Sequence, residues 1–372
     1  MNKIKAILSF LVVLTLFHLL IFYIGWNVWH YLRVAISFDF LYPFIVLIFL
    51  FSYAYIIGRF VKFLSIFHTI GSIWMAIIQY AVILFPIANI SVLISVAFSI
   101  PTETAILWTG HVTLIVFLLI FGVGTFNAYS PVVRNYQIKI NKTTEAIFKL
   151  RIAMASDMHF GTLSDKKHAR RLVKIINNEK PDIILLPGDI IDDDPIPFIK
   201  KGFGKILSEL HAPLGIYGVL GNHEYYGRAI PTFMKEMEKI NIDILTDDVI
   251  QIKESFYLIG RKDKTDKQRL TIKELLAHPT INHSKPIIMM DHQPSQLNEA
   301  MHEGVDLILS GHTHRGQMAP NHLITRKIFE LDWGYLQKNQ LHAIVSSGFG
   351  FWGPPIRLGS RSEIVIIDVN FN

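Results

Sequence analysis

The chain has 372 residues, 51% of them hydrophobic, and its mean hydropathy of +0.36 is too high for a soluble protein of this length. The formal net charge of +6 does not mark a nucleic-acid-binding protein, because residues 1–126 hold five basic residues (Lys3, Lys5, Arg33, Arg59, Lys62) and two acidic ones (Asp39, Glu103). The remaining 31 basic and 28 acidic residues leave the rest of the chain only weakly positive, so no specific nucleic-acid partner is expected. There is no cysteine, which excludes disulfides and thiolate metal sites and leaves His, Asp, Asn and Glu to hold any metal.

In chain order, four apolar stretches, 6–26, 38–58, 74–95 and 107–126, each meet the roughly 20 residues a helix needs to cross a bilayer core about 30 Å thick. The first follows Lys3 and Lys5 like a signal peptide, but it is long for a signal core and three more spans follow, so a retained helix is expected. Basic residues gather before the first span, in the second loop (Arg59, Lys62) and after the fourth (Arg134, Lys139, Lys142), which predicts a multi-pass cell-membrane protein with its C-terminal part in the cytoplasm. Asp39, at the second position of the second stretch, is the only Asp, Glu, Lys or Arg inside the four, and with no charged residue deeper in any of them an ion-coupled transporter is poorly supported. His18 and His111 do fall inside, and are read as packing or interfacial residues; Pro86 is expected to kink the third span.

Asn-Ala-Tyr-Ser-Pro at 127–131 breaks the apolar pattern, and residues 136–140 then alternate as a strand does. Domains are therefore expected at 1–126 (an all-α four-helix transmembrane region), 127–149 (juxtamembrane linker and first strand) and 150–372. Within the last, short runs rich in β-branched residues at 150–155, 183–186, 216–220, 287–290, 307–309 and 364–367 read as buried strands separated by helical patterns. Ser164 is a candidate cap for a helix with Leu172, Ile175 and Ile176 on its apolar face. The alternation predicts a layered α/β domain around a central sheet.

Directly after five of those strands come Asp157-Met158-His159, Gly188-Asp189, Gly221-Asn222-His223-Glu224, Asp291-His292 and Gly311-His312-Thr313-His314. In layered α/β folds the carboxyl ends of the strands converge on one edge, so clusters more than 150 residues apart can meet there. If the backbone is extended, the alternate residues of Asp-Met-His and His-Thr-His project the same way, and both members of each pair reach one centre. Singly, Gly-Asp is commonly a turn and a lone His a surface residue; five such clusters in this order after strands are not a chance pattern.

These blocks resemble the signature of the calcineurin-like metallophosphoesterase superfamily, D-x-H, G-D-x-x-D, G-N-H-D/E, H and G-H-x-H, with Gly188-Asp189-Ile190-Ile191-Asp192 supplying the second. Residues 346–348 and 352–357 resemble the branch that contains membrane-attached bacterial phosphoesterases. The resemblance covers about 150–369 and implies a central β-sandwich flanked by helices. It further implies two divalent metal ions per chain, one held by Asp157, His159, Asp189 and His314, the other by Asp189, Asn222, His292 and His312, with Asp189 bridging. Mixed nitrogen and oxygen donors suit manganese first, with iron, zinc or cobalt also fitting. Such a pair clamps a phosphate and acidifies a water for in-line attack on phosphorus. His223 matches the catalytic histidine, a proton donor to the leaving oxygen, and Glu224 is a candidate to orient it. Asp192 is expected to shape the loop, and Asp193 and Asp194 to be solvated. Arg315 stands where related sequences commonly have Gly, which leaves phosphate contact and an outward side chain both open; Arg357 is a further phosphate-contact candidate. His211, His278, His302, His322 and His342 belong to no cluster and are read as surface or packing residues.

The expected function is membrane-tethered hydrolysis of a phosphomonoester, phosphodiester or pyrophosphate, with a phosphorylated small molecule or lipid-linked substrate and the lipid bilayer as partners. Two alternatives stay open: a phosphodiesterase acting on a soluble nucleotide or nucleic acid, and, in a different class, a non-catalytic metal-binding membrane sensor.

Overall fold

The structure is a computed structural model that describes residues 3–60 and 65–372. Lys62, on which part of the topology expectation rests, lies outside the described residues. The chain divides into two compact units, 1–122 and 123–372.

The first unit carries helices α1 (Lys3–Ile36), α2 (Leu41–Phe60), α3 (Ser65–Ala97) and most of α4 (Thr102–Tyr129), and all four are long and apolar enough to cross a membrane. Three of them run well past the predicted spans because helix formation does not stop where hydropathy falls; Arg33 in α1 and Glu103 in α4 sit in terminal turns. Ile21, Ile24, Phe44, Ile48, Trp74, Ala81 and Phe85 form the buried seam of this unit. Phe10, Phe22 and Leu118 face outward, as residues covered by lipid do. His18 is a packing residue: Tyr53 Oη lies 2.8 Å from its Nε2, linking α1 to α2, while its Nδ1 bonds the Leu14 carbonyl at 2.7 Å. His111 likewise bonds the Leu107 carbonyl.

The second unit is a sandwich of two six-stranded sheets. Its strands are β1 (Val132–Ile140), β2 (Lys149–Met154), β3 (Ile183–Pro187), β4 (Ile216–Val219), β5 (Asp243–Leu245), β6 (Asp248–Ile252), β7 (Phe256–Gly260), β8 (Ile287–Met290), β9 (Leu307–Ser310), β10 (Gly334–Lys338), β11 (Leu341–Val345) and β12 (Glu363–Phe371). The first sheet runs β1-β12-β2-β3-β4-β5 and the second β10-β11-β9-β8-β7-β6. Strands β2 to β5 are mutually parallel, as are β7, β8, β9 and β11. Leu150, Ile152, Val365 and Ile367 from one sheet meet Phe256, Leu258, Ile288 and Leu309 from the other in the core between them.

Helices cover both outer faces, which is why the parallel strands read as continuous apolar runs. Over the first sheet lie α5 (Lys166–Asn178), α6 (Pro195–Lys200), α7 (Phe203–Leu207), α8 (Asn222–Tyr226) and α9 (Ile230–Glu238); over the second lie α10 (Ile272–Leu276) and α11 (Leu297–His302). A last helix, α12 (His322–Ile328), buries no residue. The α5 cap is Asp165, whose side chain accepts from the His168 amide, rather than Ser164, whose hydroxyl bonds the His159 carbonyl at 2.6 Å.

Candidate metal centre

The parallel strands deliver every predicted site residue to one edge. Asp157 and His159 follow β2, Asp189 follows β3, Asn222 and His223 open α8 after β4, His292 follows β8, and His312 and His314 follow β9. Asp157, His159 and His314 place one donor atom each within 4.8 Å of one another, and so do Asp189, His292 and His312. Asp189 Oδ2 lies 3.2 Å from His292 Nε2 and 3.8 Å from His159 Nε2, so it stands between the two groups. Asn222 Oδ1 completes the second, 3.1 Å from His292 Nε2 and 2.8 Å from His312 Nδ1.

The backbone route differs from the expected one. Asp157, His159, Asp189, His312 and His314 all have φ between 45° and 71°, so both histidine pairs reach the site through left-handed turns and not through extended alternation. Left-handed backbone at a non-glycine residue costs on the order of 1–3 kcal/mol, and five such residues in one site mark stored strain. Two glycines make the turns fit: a Cβ on Gly311 would strike the Asp157 carboxylate, and one on Gly221 the Asp189 carboxylate.

The donor chemistry fits divalent cations. His292 Nδ1 faces the Pro187 carbonyl at 2.8 Å and must carry its proton there, which leaves the Nε2 lone pair pointing at two acceptor oxygens. Burial by itself would lower the His292 pKa, but the Asp189 carboxylate beside it raises it well above the ordinary imidazole value. In the first group, His159 Nε2 and His314 Nε2 stand 3.0 Å apart, and buried Asp157 Oδ2 has no hydrogen-bond partner among the described residues. Burial lowers the pKa of His159 to about 3 and of His312 to about 4, and holds His314 well below its usual value, so all three imidazoles are neutral with lone pairs to give.

Around these donors sit residues with other tasks. Arg261 Nη1 bonds Asp291 Oδ2 at 3.0 Å and Arg269 Nη1 lies 3.4 Å from Asp291 Oδ1, a buried ion cluster that anchors the turn presenting His292. Glu224 does not orient His223. Its carboxylate, 1% exposed, accepts from the amides of Gly221 (2.7 Å), Ile191 (3.0 Å) and Asp189 (3.2 Å), clasping the Asp189 and Asn222 loops together. Glu224→Ala would leave three amides without partners at a cost of about 3 kcal/mol or more, read as a fall in the urea midpoint of the purified protein; an unchanged midpoint would show that the clasp is not structural.

The residue that orients His223 is Asp193, whose Oδ1 lies 2.8 Å from His223 Nδ1, with Asp192 at 3.7 Å. Burial lowers the His223 pKa, but the Asp193 hydrogen bond and then the charges of Asp189, Asp192 and Asp193 outweigh it and raise the pKa to about 9. Sequence reading placed Asp193 in a solvated loop because three consecutive acidic residues are normally that. Only Asp194 behaves as a local residue, capping α6 through the Ile196 amide.

The two arginines take different places. Arg315 turns onto Trp333, its guanidinium carbon 4.1 Å from the ring centroid, and is not among the residues lining the cleft. Arg357 is fully buried beneath the site, donating to the Gly350 carbonyl through Nε (2.9 Å) and Nη2 (2.6 Å) and lying 3.2 Å from His314 Nδ1, so it backs a candidate ligand and cannot reach the mouth. Among the five unclustered histidines, His342 is buried and bonded to Tyr335 Oη at 2.8 Å.

A two-sheet sandwich with five polar clusters at one edge defines the architecture of a two-metal phosphoesterase. Residues 150–316 match the family model described as calcineurin-like phosphoesterase, and the chain is 33% identical over 243 residues to an uncharacterized metallophosphoesterase of Aquifex aeolicus, covering 64% of this chain and 91% of that protein. The protein belongs to the calcineurin-like metallophosphoesterase family. It is also 32% identical over 241 residues to an uncharacterized metallophosphoesterase of Helicobacter pylori, and 28% identical over 255 residues to a zebrafish (Danio rerio) protein described as a transmembrane protein with metallophosphoesterase domain. The matches cover 64% of this chain in both cases but only 63% and 57% of those proteins' own lengths.

Proposed function

We propose that this protein is a multi-pass membrane hydrolase of a phosphoester or pyrophosphate bond that uses two divalent cations. The observation that carries the reading is the meeting of seven candidate donors and His223 at one cleft of about 360 Å³, lined by Asp189, Asn222, His223, His312 and His314. Asp157, His159, Asp189 and His314 would hold one ion, and Asp189, Asn222, His292 and His312 the other, with Asp189 shared. When bound, the pair supplies Lewis acidity to the phosphate and to water. The chain's own residues do the rest. Asp193 accepts from His223 Nδ1 and so fixes the ring; His223 then gives its Nε2 proton to the departing oxygen. Arg357 and the Glu224 clasp keep the donor loops from shifting.

Stripping divalent cations should abolish hydrolysis of an aryl phosphodiester by the purified protein, and Mn²⁺ should restore it best among first-row ions. Full turnover in metal-free protein would refute the reading, and metal binding without turnover on any phosphoester would favour a sensor.

A phosphorylated lipid-linked substrate fits a tethered enzyme, which works where such molecules concentrate. The excess of Lys and Arg on the N-terminal side and after α4 supports a cytoplasmic catalytic domain. A C-terminal reporter that functions only inside the cell should be active; activity of a reporter that needs export would reverse the orientation and leave the chemistry untouched.

A further inference from the structure

The wall of the cleft is fastened to the end of a membrane span. Residues 123–129, the last turns of α4, belong to the same compact unit as the metal centre. The Gly124 carbonyl accepts from the Arg357 amide at 2.9 Å, and Asn127 bonds the Arg357 carbonyl with its side chain (3.1 Å) and the Ser362 amide with its own carbonyl (3.0 Å). From Arg357 the connection runs two ways: its guanidinium backs His314, and the adjoining Leu358 exchanges backbone hydrogen bonds with Gln317 (2.8 Å) and Ala319 (2.7 Å). Ala319 lies three residues before α12. A short ladder of backbone bonds thus joins the span's end to the segment that launches this helix.

That helix is unlike the others in its unit. Each of α5 to α11 buries at least two residues, whereas α12 buries none and leaves Leu323, Ile324 and Ile328 exposed by 60%, 59% and 65%. At 100° per residue these three fall within an arc of about 140°. Arg326 and Lys327 stand among and beside them, both exposed, with stems long enough to carry their charges to a headgroup layer. Ile324 and Thr325 line the cleft, as does Trp352, an indole 47% exposed whose carbonyl is bonded by Gln317 Nε2 at 2.8 Å. Bulky aliphatic residues, a tryptophan and two cations, held to the end of a span, are what an interfacial membrane element requires.

We propose that α12, with Trp352, inserts into the lipid surface as a lip, Leu323, Ile324 and Ile328 entering the acyl region and Arg326 and Lys327 resting at the level of anionic headgroups. The metal cleft then opens onto the bilayer. Solvent cannot be the steady occupant of such a face without a hydrophobic cost of roughly 1.5–3 kcal/mol for each large side chain left in water. The inference rests on the reading of α4 as a membrane span and goes beyond the proposed hydrolysis, since it holds whether or not the cleft turns over.

The test needs no substrate. The chain has no cysteine, so Leu323→Cys, Ile328→Cys and, as reference, Lys253→Cys at the sheet end remote from the cleft each give one labelling site. The purified full chains would carry a polarity-sensitive fluorophore and be reconstituted into vesicles of phosphatidylcholine and phosphatidylglycerol, with and without acyl-brominated lipid. Blue-shifted emission at 323 and 328, quenched by brominated lipid and shielded from iodide, with the 253 probe showing the reverse, is the expected result. Iodide quenching at 323 and 328 equal to that at 253 would overturn the proposal. So would shielding from iodide without quenching by brominated lipid, which would assign the face to a second copy of the chain. Two label positions keep the test decisive if one variant fails to fold, and loss of hydrolysis with a normal quenching pattern would fault the enzymatic reading alone.

Discussion

Asp189→Ala should remove metal from both sites and reduce hydrolysis to background. Its Oδ2 stands within 3.2 Å of His292 and 3.8 Å of His159, the two donor groups it links, and its Oδ1 accepts from the His223 amide at 2.9 Å. The substitution therefore removes a shared donor, and its loss of the His223 contact also loosens the turn that presents Asn222. Removing a donor from one side only, as in Asn222→Ala, should reduce metal content by about one ion per chain. Metal analysis of the purified variants beside the parent decides the point: equal metal content in Asp189→Ala and parent would remove Asp189 from the centre, and equal losses in the two variants would deny it a bridging place.

His223→Ala should keep its metals and lose roughly 10²–10⁴-fold in turnover on an alkyl phosphoester, the usual worth of a placed proton donor. An aryl phosphoester, whose phenolate leaves without a proton, should lose far less. Asp193→Asn tests the orienting contact: it keeps an acceptor oxygen beside His223 Nδ1 but removes the charge, so the apparent pKa on the alkaline limb of the pH profile should fall. The sign follows from the chemistry, since Asp193 raises the His223 pKa and a proton donor is competent only below its pKa. His159, Asp192 and His223 also lie close enough to hold an ion. If His223→Ala loses metal as Asp189→Ala does, or slows alkyl and aryl substrates alike, His223 is a ligand and the proton must come from elsewhere.

Much of this is legible in the sequence alone. The four long apolar helices stand out because crossing a bilayer calls for a length and an apolar composition that soluble segments seldom reach. The strands that carry the site read as continuous apolar runs because helices bury their outer faces and the second sheet their inner ones. Strands such as β5, β6 and β10 carry no such signal, because they are short, lie at sheet edges and bury only part of their surface, so no apolar run marks them. Motif order points to the candidate donors because each follows a strand and so reaches the shared edge, a constraint on sequence as much as on space.

What the tertiary structure decided is how those residues divide the work. Glu224 and Asp193 are both acidic and both near His223 along the chain or across a loop, and adjacency favours Glu224. Folding sends Glu224 inward to the loop amides and brings Asp193 across 30 positions to the imidazole. The same holds for Arg357, whose sequence neighbourhood suggests a phosphate ligand and whose burial makes it a support for His314. The left-handed turns at Asp157 and His312 were invisible for a related reason: a non-glycine residue takes that conformation only when surrounding contacts hold it there, and those contacts come from strands far apart in the chain. Residue type and order therefore determine which chemistry the protein carries. Which carboxylate stands among the candidate metal donors, which meets the histidine and which holds the backbone is settled only by packing.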